Sequence, residues 1–305
     1  MLTWFHEASC EAVETAGGKG ASLARMTRAG LPVPEGFVLT AEVLEAALAA
    51  AGRRADVLEL VRSGGDQAAA AEAVQRIVLD LEPGREVEEA IFAACLQLGE
   101  DRPVAVRSSA CAEDSEAASF AGQQETYLNV RGSAEVLRRI GACWASFFSE
   151  RALFYRSRKG SLTDLGMAVV VQRQLAPEKA GVMFTIDPVR RRRDQMVVEA
   201  VWGLGELLVS GQVTPDHYVV ARDGTVKRAQ VAVQPVALMT LAAGGTELQE
   251  LKPERGGARV LADAELSELA RLGNRLQEHF GGPQDVEWAY QDGRLFLLQS
   301  RPVTA

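Results

Sequence analysis

Apolar residues recur at helical intervals through most of the first half of the chain and alternate with polar ones through most of the second. Leu23, Met26 and Ala29 keep helical spacing after a turn that holds Gly17, Gly18 and Gly20. Gly30 then suits a left-handed C-terminal position, and Pro32 forbids continuation. "FVLT" reads as a strand, and Thr40 is placed to cap the helix "AEVLEAALAA". From there to about residue 98 the period stays helical, with interruptions at Gly52, at Gly64 with Gly65, and at Pro83 with Gly84. "RPVAVRSSA" turns to β character at Val104 and Val106, and "ETYLNV" gives another short strand. A single helix is predicted from about Ser133 to Arg156, with Leu137, Ile140, Trp144, Phe147 and Phe148 on its buried side.

After Gly166 the pattern is dominated by strands, in "MAVVVQRQL", "AGVMFTI", "QMVVEAVWG", "HYVVARDGTV" and "DVEWAYQDGRLFLLQSR". One late helix is predicted from about Ala264 to His279, with Leu266, Leu269, Leu276 and Phe280 as its buried stripe. The change of composition near residues 172–180 predicts two lobes, residues 1–175 and 176–305, in an α+β fold.

The last pair of strands carries candidate chemistry. "QDG" reads as their connecting turn, with Gly293 at a positive-φ position. A three-residue loop over Gln291–Gly293 would put Asp285, Glu287, Gln299 and Arg301 on one face, whereas a two-residue loop would scatter them. A carboxylate beside an amide oxygen is a hard-oxygen pair of the kind Mg²⁺ uses when nucleotide phosphates also hold it.

Composition narrows the class. The chain has 305 residues, 47% of them hydrophobic, which is ample for a core, and a formal charge of -8. An acidic balance argues against nucleic acid or a membrane surface as the main partner. Cys10, Cys95, Cys111 and Cys143 are far apart in sequence and form no C-x-x-C pair, so neither a zinc site nor a disulfide framework is expected. The N-terminus lacks a basic leader, and no apolar run approaches the roughly 20 residues that span a bilayer, so a cytoplasmic location is expected.

Two further stretches suggest phosphate. The Gly17–Gly20 turn fits neither the Walker A nor the G-x-G-x-x-G pattern, but it places Lys19, one of five lysines among 33 basic residues, at a helix start. Arg107 ends a strand beside a loop of small residues, where a guanidinium can fork onto two oxygens. Arg190–Arg193, between two strands, reads as a solvated loop tip, and His6, His217 and His279 share no motif.

Together "GGKGASLARM", "GLPVPEGFVLT", "VRSSA", "SFAGQQETYLNV", "FTIDPV", "VVEAVWGLGE", "GQVTPDHYVV", "PQDVEWAY" and "LFLLQSRPVT" resemble the N-terminal ATP-binding domain of the phosphoenolpyruvate synthase, pyruvate phosphate dikinase and rifampicin phosphotransferase family. The resemblance implies a two-lobed ATP-grasp fold. It also implies that Lys19 and Arg107 hold ATP phosphates, that Gly122 and Thr126 lie over the nucleotide, and that Gln172 lies on the strand passing the adenine. In the same way it assigns Mg²⁺ to Glu287 and Gln299 with Asp285 close by, and the closing of the phosphate site to Arg301. Cys111 stands where the family often has Thr.

In that family ATP is cleaved to AMP as its β-phosphoryl group passes to a histidine on a separate domain. The sequence contains no Gly-rich phosphohistidine segment, so a separate phosphohistidine-domain protein is expected as partner. The alternatives are a non-catalytic ATP-binding regulatory module, or a fragment of a rifampicin phosphotransferase-like or phosphoenolpyruvate synthase-like enzyme.

Overall fold

The computed structural model describes residues 1–62, 66–111, 125–159, 162–241 and 245–303. The chain divides into two compact units, one of Met1–Arg25 with Glu35–Gln174 and one of Met26–Pro34 with Leu175–Ala305.

In the first unit β1 (Leu2–Trp4), β2 (Gly36–Leu39), β3 (Val104–Ala110), β4 (Thr126–Val130) and β5 (Met167–Arg173) form one sheet in the order β1-β2-β5-β3-β4. Every neighbouring pair is antiparallel. The helices are α1 (Val13–Arg28, whose last turn belongs to the second unit), α2 (Glu42–Ala50), α3 (Arg54–Arg62), α4 (Gln67–Leu79), α5 (Arg85–Leu98), α6 (Ser133–Ser146) and α7 (Glu150–Lys159). Phe37, Leu39, Val104, Val106, Val169 and Val171 share a core with Leu44, Leu48, Val74, Ile91, Ile140, Trp144 and Phe148. Because side chains alternate along a strand, Val38, Ala105, Arg107, Val170 and Gln172 take the opposite face. Helix α1 packs there, and an added Cβ on Gly20 would stand 2.9 Å from Val38 Cγ2.

Two local expectations are corrected. The predicted helix over 133–156 is two helices, α6 and α7. Phe147, Phe148 and Ser149 donate their N–H groups three residues back, and the Ser149 hydroxyl accepts from Ala152 N at 3.3 Å to start the new helix. Thr40 caps nothing. Its hydroxyl donates to the Met1 carbonyl, and α2 begins after Ala41 without a side-chain cap. Gly30, in contrast, has φ 67°, and the Leu31 N–H closes on the Met26 carbonyl, a Schellman ending for α1.

In the second unit β6 (Lys179–Phe184), β7 (Gln195–Trp202), β8 (Asp216–Ala221), β9 (Val226–Gln230), and the final β12 (Gln284–Gln291) and β13 (Arg294–Pro302) build an antiparallel sheet in the order β13-β12-β6-β7-β8-β9. Between these lie the short helix α8 (Glu206–Val209), a separate ribbon of β10 (Val236–Thr240) with β11 (Thr246–Glu250), α9 (Pro253–Gly256) and α10 (Asp263–Phe280). Helix α10 buries Leu266, Leu269, Leu272 and Leu276. A Cβ on its Gly273 would meet Met196 at 2.9 Å and Met183 at 3.1 Å, so glycine permits the close helix–sheet approach. Met183 pairs with Val286, which assigns Val286, Trp288 and Tyr290 to the α10 face and Asp285, Glu287 and Ala289 to the other.

The "PDHY" stretch has a structural role. Asp216 is fully buried; its carboxylate accepts from Tyr218 Oη at 2.6 Å and from the backbone N–H groups of Ala232 and Val260, each at 2.9 Å. It thereby ties the segments before β10 and before α10 to the sheet. Burial, reinforced by the adjacent Asp216, pushes the Tyr218 hydroxyl well above its ordinary pKa. Asp216→Ala leaves these donors without their acceptor, and we expect a loss of about 3 kcal/mol or more of stability, read from the urea midpoint. A loss under about 1 kcal/mol would show the clamp to be dispensable.

Candidate functional site

In the first unit the sequence-predicted residues gather on one sheet face. At Gly17 the backbone leaves helical geometry, with φ 67° and ψ 173°, so the helix that carries Lys19 effectively begins there. The reason lies in β3. A Cβ on Gly17 would stand 2.2 Å from the Ser109 carbonyl oxygen, so only glycine allows this crossing. Ser109 Oγ donates to Ala16 O at 2.8 Å and accepts from Gly20 N at 3.2 Å, and Lys19 Nζ donates to Ser108 O at 3.2 Å. The turn is thus stapled to the end of β3. The freedom of Gly17 serves the protein's own packing, and Gly20 N donates to Ser109, so neither is accounted for by an approach to phosphate.

Arg107 is the next strand residue inward on that face. It pairs with Thr126 on β4 and with Val170 on β5, and Gln172 pairs with Ala105 one step further along. Gln172 is 3% exposed. Lys19, Arg107, Thr126 and Gln172 are therefore gathered by one strand and its neighbours. Gly122 lies outside the described residues. Burial pushes the thiols of Cys10, Cys95 and Cys143 up to about 12 and that of Cys111 up to about 11, which keeps all four protonated near neutrality.

In the second unit the hairpin of β12 and β13 decides the site. Gln291 pairs with Arg294, so the loop is the two residues Asp292 and Gly293, with φ 52° and 69°. Of the two loop lengths left open by the sequence, the shorter is present, because both positions adopt the left-handed geometry of a tight hairpin turn. The consequence expected of a two-residue loop is nevertheless avoided. The register shifts between Glu287 and Trp288: Trp288 pairs with Leu297, while Glu287 pairs with Gln299 and Asp285 with Arg301. Leu298 is the extra residue of a β-bulge, and it returns Gln299 and Arg301 to the face of Glu287. Through Val182, the same row continues to Glu199 and His217 on β7 and β8. These two escaped the sequence reading because only strand pairing brings them into line.

Gln299 is 8% exposed and stands directly opposite Glu287. Asp285 is committed to Arg301, whose Nε donates to Asp285 Oδ2 at 2.8 Å. Burial nonetheless raises the Asp285 carboxyl above its ordinary pKa, outweighing the pull of Arg301, and Glu287 pushes the same way. Arg190–Arg193 form an exposed turn between β6 and β7, where the buried Asp187 accepts Arg190 N at 2.9 Å and exchanges backbone bonds with Arg192.

Among the described residues no group of three or more His, Cys, Asp or Glu side chains could hold a metal by itself. One carboxylate and one buried amide fit instead a magnesium ion whose remaining ligands are phosphate and water. A family described as pyruvate phosphate dikinase, AMP/ATP-binding domain, matches residues 13–305. The chain belongs to that family. Its relatives include a probable phosphoenolpyruvate synthase of Methanothermobacter thermautotrophicus, 42% identical over 99% of this chain and 46% of the relative. A second from Methanocaldococcus jannaschii is 40% identical over all of this chain and 27% of the relative. A rifampicin phosphotransferase of a Streptomyces species is 43% identical over 94% of this chain and 34% of the relative. This dikinase-family chain thus spans less than half the length of each. Among solved structures, a D-alanine–D-alanine ligase from Bacillus anthracis covers 97% of this chain at 10% identity and a TM-score of 0.34, with 57% of its own length matched. Among the described residues no helix of the dikinase-family chain is long and apolar enough to cross a membrane.

The staple at Gly17 yields a direct expectation. Gly17→Ala meets both the positive φ and the Ser109 carbonyl, and should cost about 2–4 kcal/mol by thermal or urea unfolding. A variant as stable as the parent would mean that the turn does not need glycine.

Proposed function

We propose that this chain is the ATP-binding part of a dikinase-type phosphotransferase: it binds ATP with Mg²⁺, and ATP is cleaved to AMP as the β-phosphoryl group passes to a histidine on a separate domain or polypeptide. The observation that carries this reading is the directly paired Glu287 and Gln299, set on one face with Arg301 by the bulge at Leu298, in a chain of the AMP/ATP-binding family. Each unit supplies its own chemistry. In the first, Lys19 and Arg107 provide positive charge for phosphate oxygens, Thr126 lies cross-strand from Arg107, and Gln172 offers an amide for the base. In the second, Glu287 and Gln299 would hold the magnesium ion, and Arg301 adds a cation one pair away.

When bound, the metal neutralises phosphate charge. The residues of this chain orient the nucleotide and bring further positive charge to it, which is where most catalysis of phosphoryl transfer resides. The acceptor histidine is assigned to another domain on the strength of the resemblance noted in the sequence. Its final recipient, pyruvate-like or otherwise, belongs to that other part.

Calorimetric titration with ATP, with and without Mg²⁺, tests the reading. Lys19→Ala and Arg107→Ala should each weaken binding by about tenfold or more, the scale of a lost charge-assisted contact. Glu287→Gln should abolish the enhancement by Mg²⁺. Unchanged affinity in all three variants would remove the assignment.

A further inference from the structure

Asp285 and Arg301 occupy directly paired positions of β12 and β13, one pair beyond Glu287 and Gln299 on the same face. Arg301 Nε donates to Asp285 Oδ2 at 2.8 Å, and Nη2 stands 2.8 Å from the same oxygen. The two side chains are unequally exposed, 12% for Asp285 and 49% for Arg301. The carboxylate is therefore the fixed partner, seated in the sheet, and the guanidinium is the presented one. A guanidinium carries five N–H donors in a rigid fork. This contact engages two of its nitrogens, so donors remain for a second anion.

The same geometry bears on the metal. Both charge-assisted contacts fall on Oδ2, so that oxygen is engaged by the guanidinium. Asp285 and Glu287 are also carboxylates two residues apart on one strand face, and Arg301 balances the first of them without recourse to an ion. Across the strand pair Glu287 faces the neutral amide of Gln299, whereas Asp285 faces a cation.

We propose that Asp285 is a positioning residue, which holds Arg301 ready for a phosphate group of the nucleotide, and that it is not a ligand of the magnesium ion. This inference rests on the nucleotide reading above and reassigns Asp285 within that site. A long arginine side chain ordered in advance loses less freedom when the anion arrives, so the effect of Asp285 on ATP passes through Arg301.

A double-mutant cycle on the full chain separates the two roles. Calorimetry would give the ATP affinity at saturating Mg²⁺ and the apparent Mg²⁺ affinity at saturating ATP for the unsubstituted chain, Asp285→Asn, Arg301→Gln, the double variant and Glu287→Gln. Asp285→Asn should weaken ATP binding by about tenfold and leave the apparent Mg²⁺ affinity within about twofold of the parent. The double variant should bind ATP no more weakly than Arg301→Gln alone, because the two residues act as one unit. Asp285→Ser replaces Asp285→Asn if thermal unfolding shows the latter not to fold.

A shift of Mg²⁺ affinity in Asp285→Asn like that in Glu287→Gln would overturn the proposal and make Asp285 a ligand. Additive losses of ATP affinity would overturn it as well, as would ATP affinity that Asp285→Asn leaves unchanged. Absence of ATP binding by the unsubstituted chain would instead remove the nucleotide reading, and the role of the pair with it.

Discussion

A single extra residue in the last hairpin determines which side chains can work together. The loop of Asp292 and Gly293 sets a register in which, carried on without interruption, Glu287 would oppose Leu298, and Gln299 would turn to the side where α10 packs. The bulge at Leu298 resets the count by one. Beyond it Glu287 meets Gln299 and Asp285 meets Arg301, while Val286, Trp288 and Tyr290 stay in the core beneath α10. Bulges re-aim side chains at the cost of a ladder position, and here the re-aimed residues are the polar ones of β13.

The first unit solves a parallel problem by close packing. Gly17 lets α1 and the end of β3 come into contact, and Ser109 bonds to both sides of the resulting turn. Lys19 and Arg107 are thus carried by two elements that are locked to each other. Both arrangements share a logic: rigid backbone devices, a left-handed glycine and a bulge, fix where a few charged groups point, and regular elements supply the rest of the fold.

Much of this was legible in the sequence. Period-two alternation located the principal strands and the helical period located α1 and α10, because those elements bury one face and expose the other. The ribbon of β10 and β11 escaped, since β11 is exposed along its length and leaves no apolar rhythm to read. The break between α6 and α7 was hidden by Phe147 and Phe148, which continue an apolar pattern across a turn. At the site, the sequence offered the shared face of Glu287 and Gln299 only with a three-residue loop, and a bulge supplies the residue that the two-residue loop lacks. No feature of local composition distinguishes a three-residue loop from a two-residue loop followed by a bulge; only the hydrogen-bonded register does. Glu199 and His217 were invisible for the same reason, as their alignment with Glu287 exists only across strands.

The most direct measurement is the position of the divalent cation in a crystal of this chain grown with Mg²⁺ and a non-hydrolysable ATP analogue. The ion should be bound by oxygens of both Glu287 and Gln299, at the roughly 2.1 Å usual for magnesium, with Arg301 still resting on Asp285. A cation held elsewhere, or Gln299 turned to the α10 side of its sheet, would contradict this assignment.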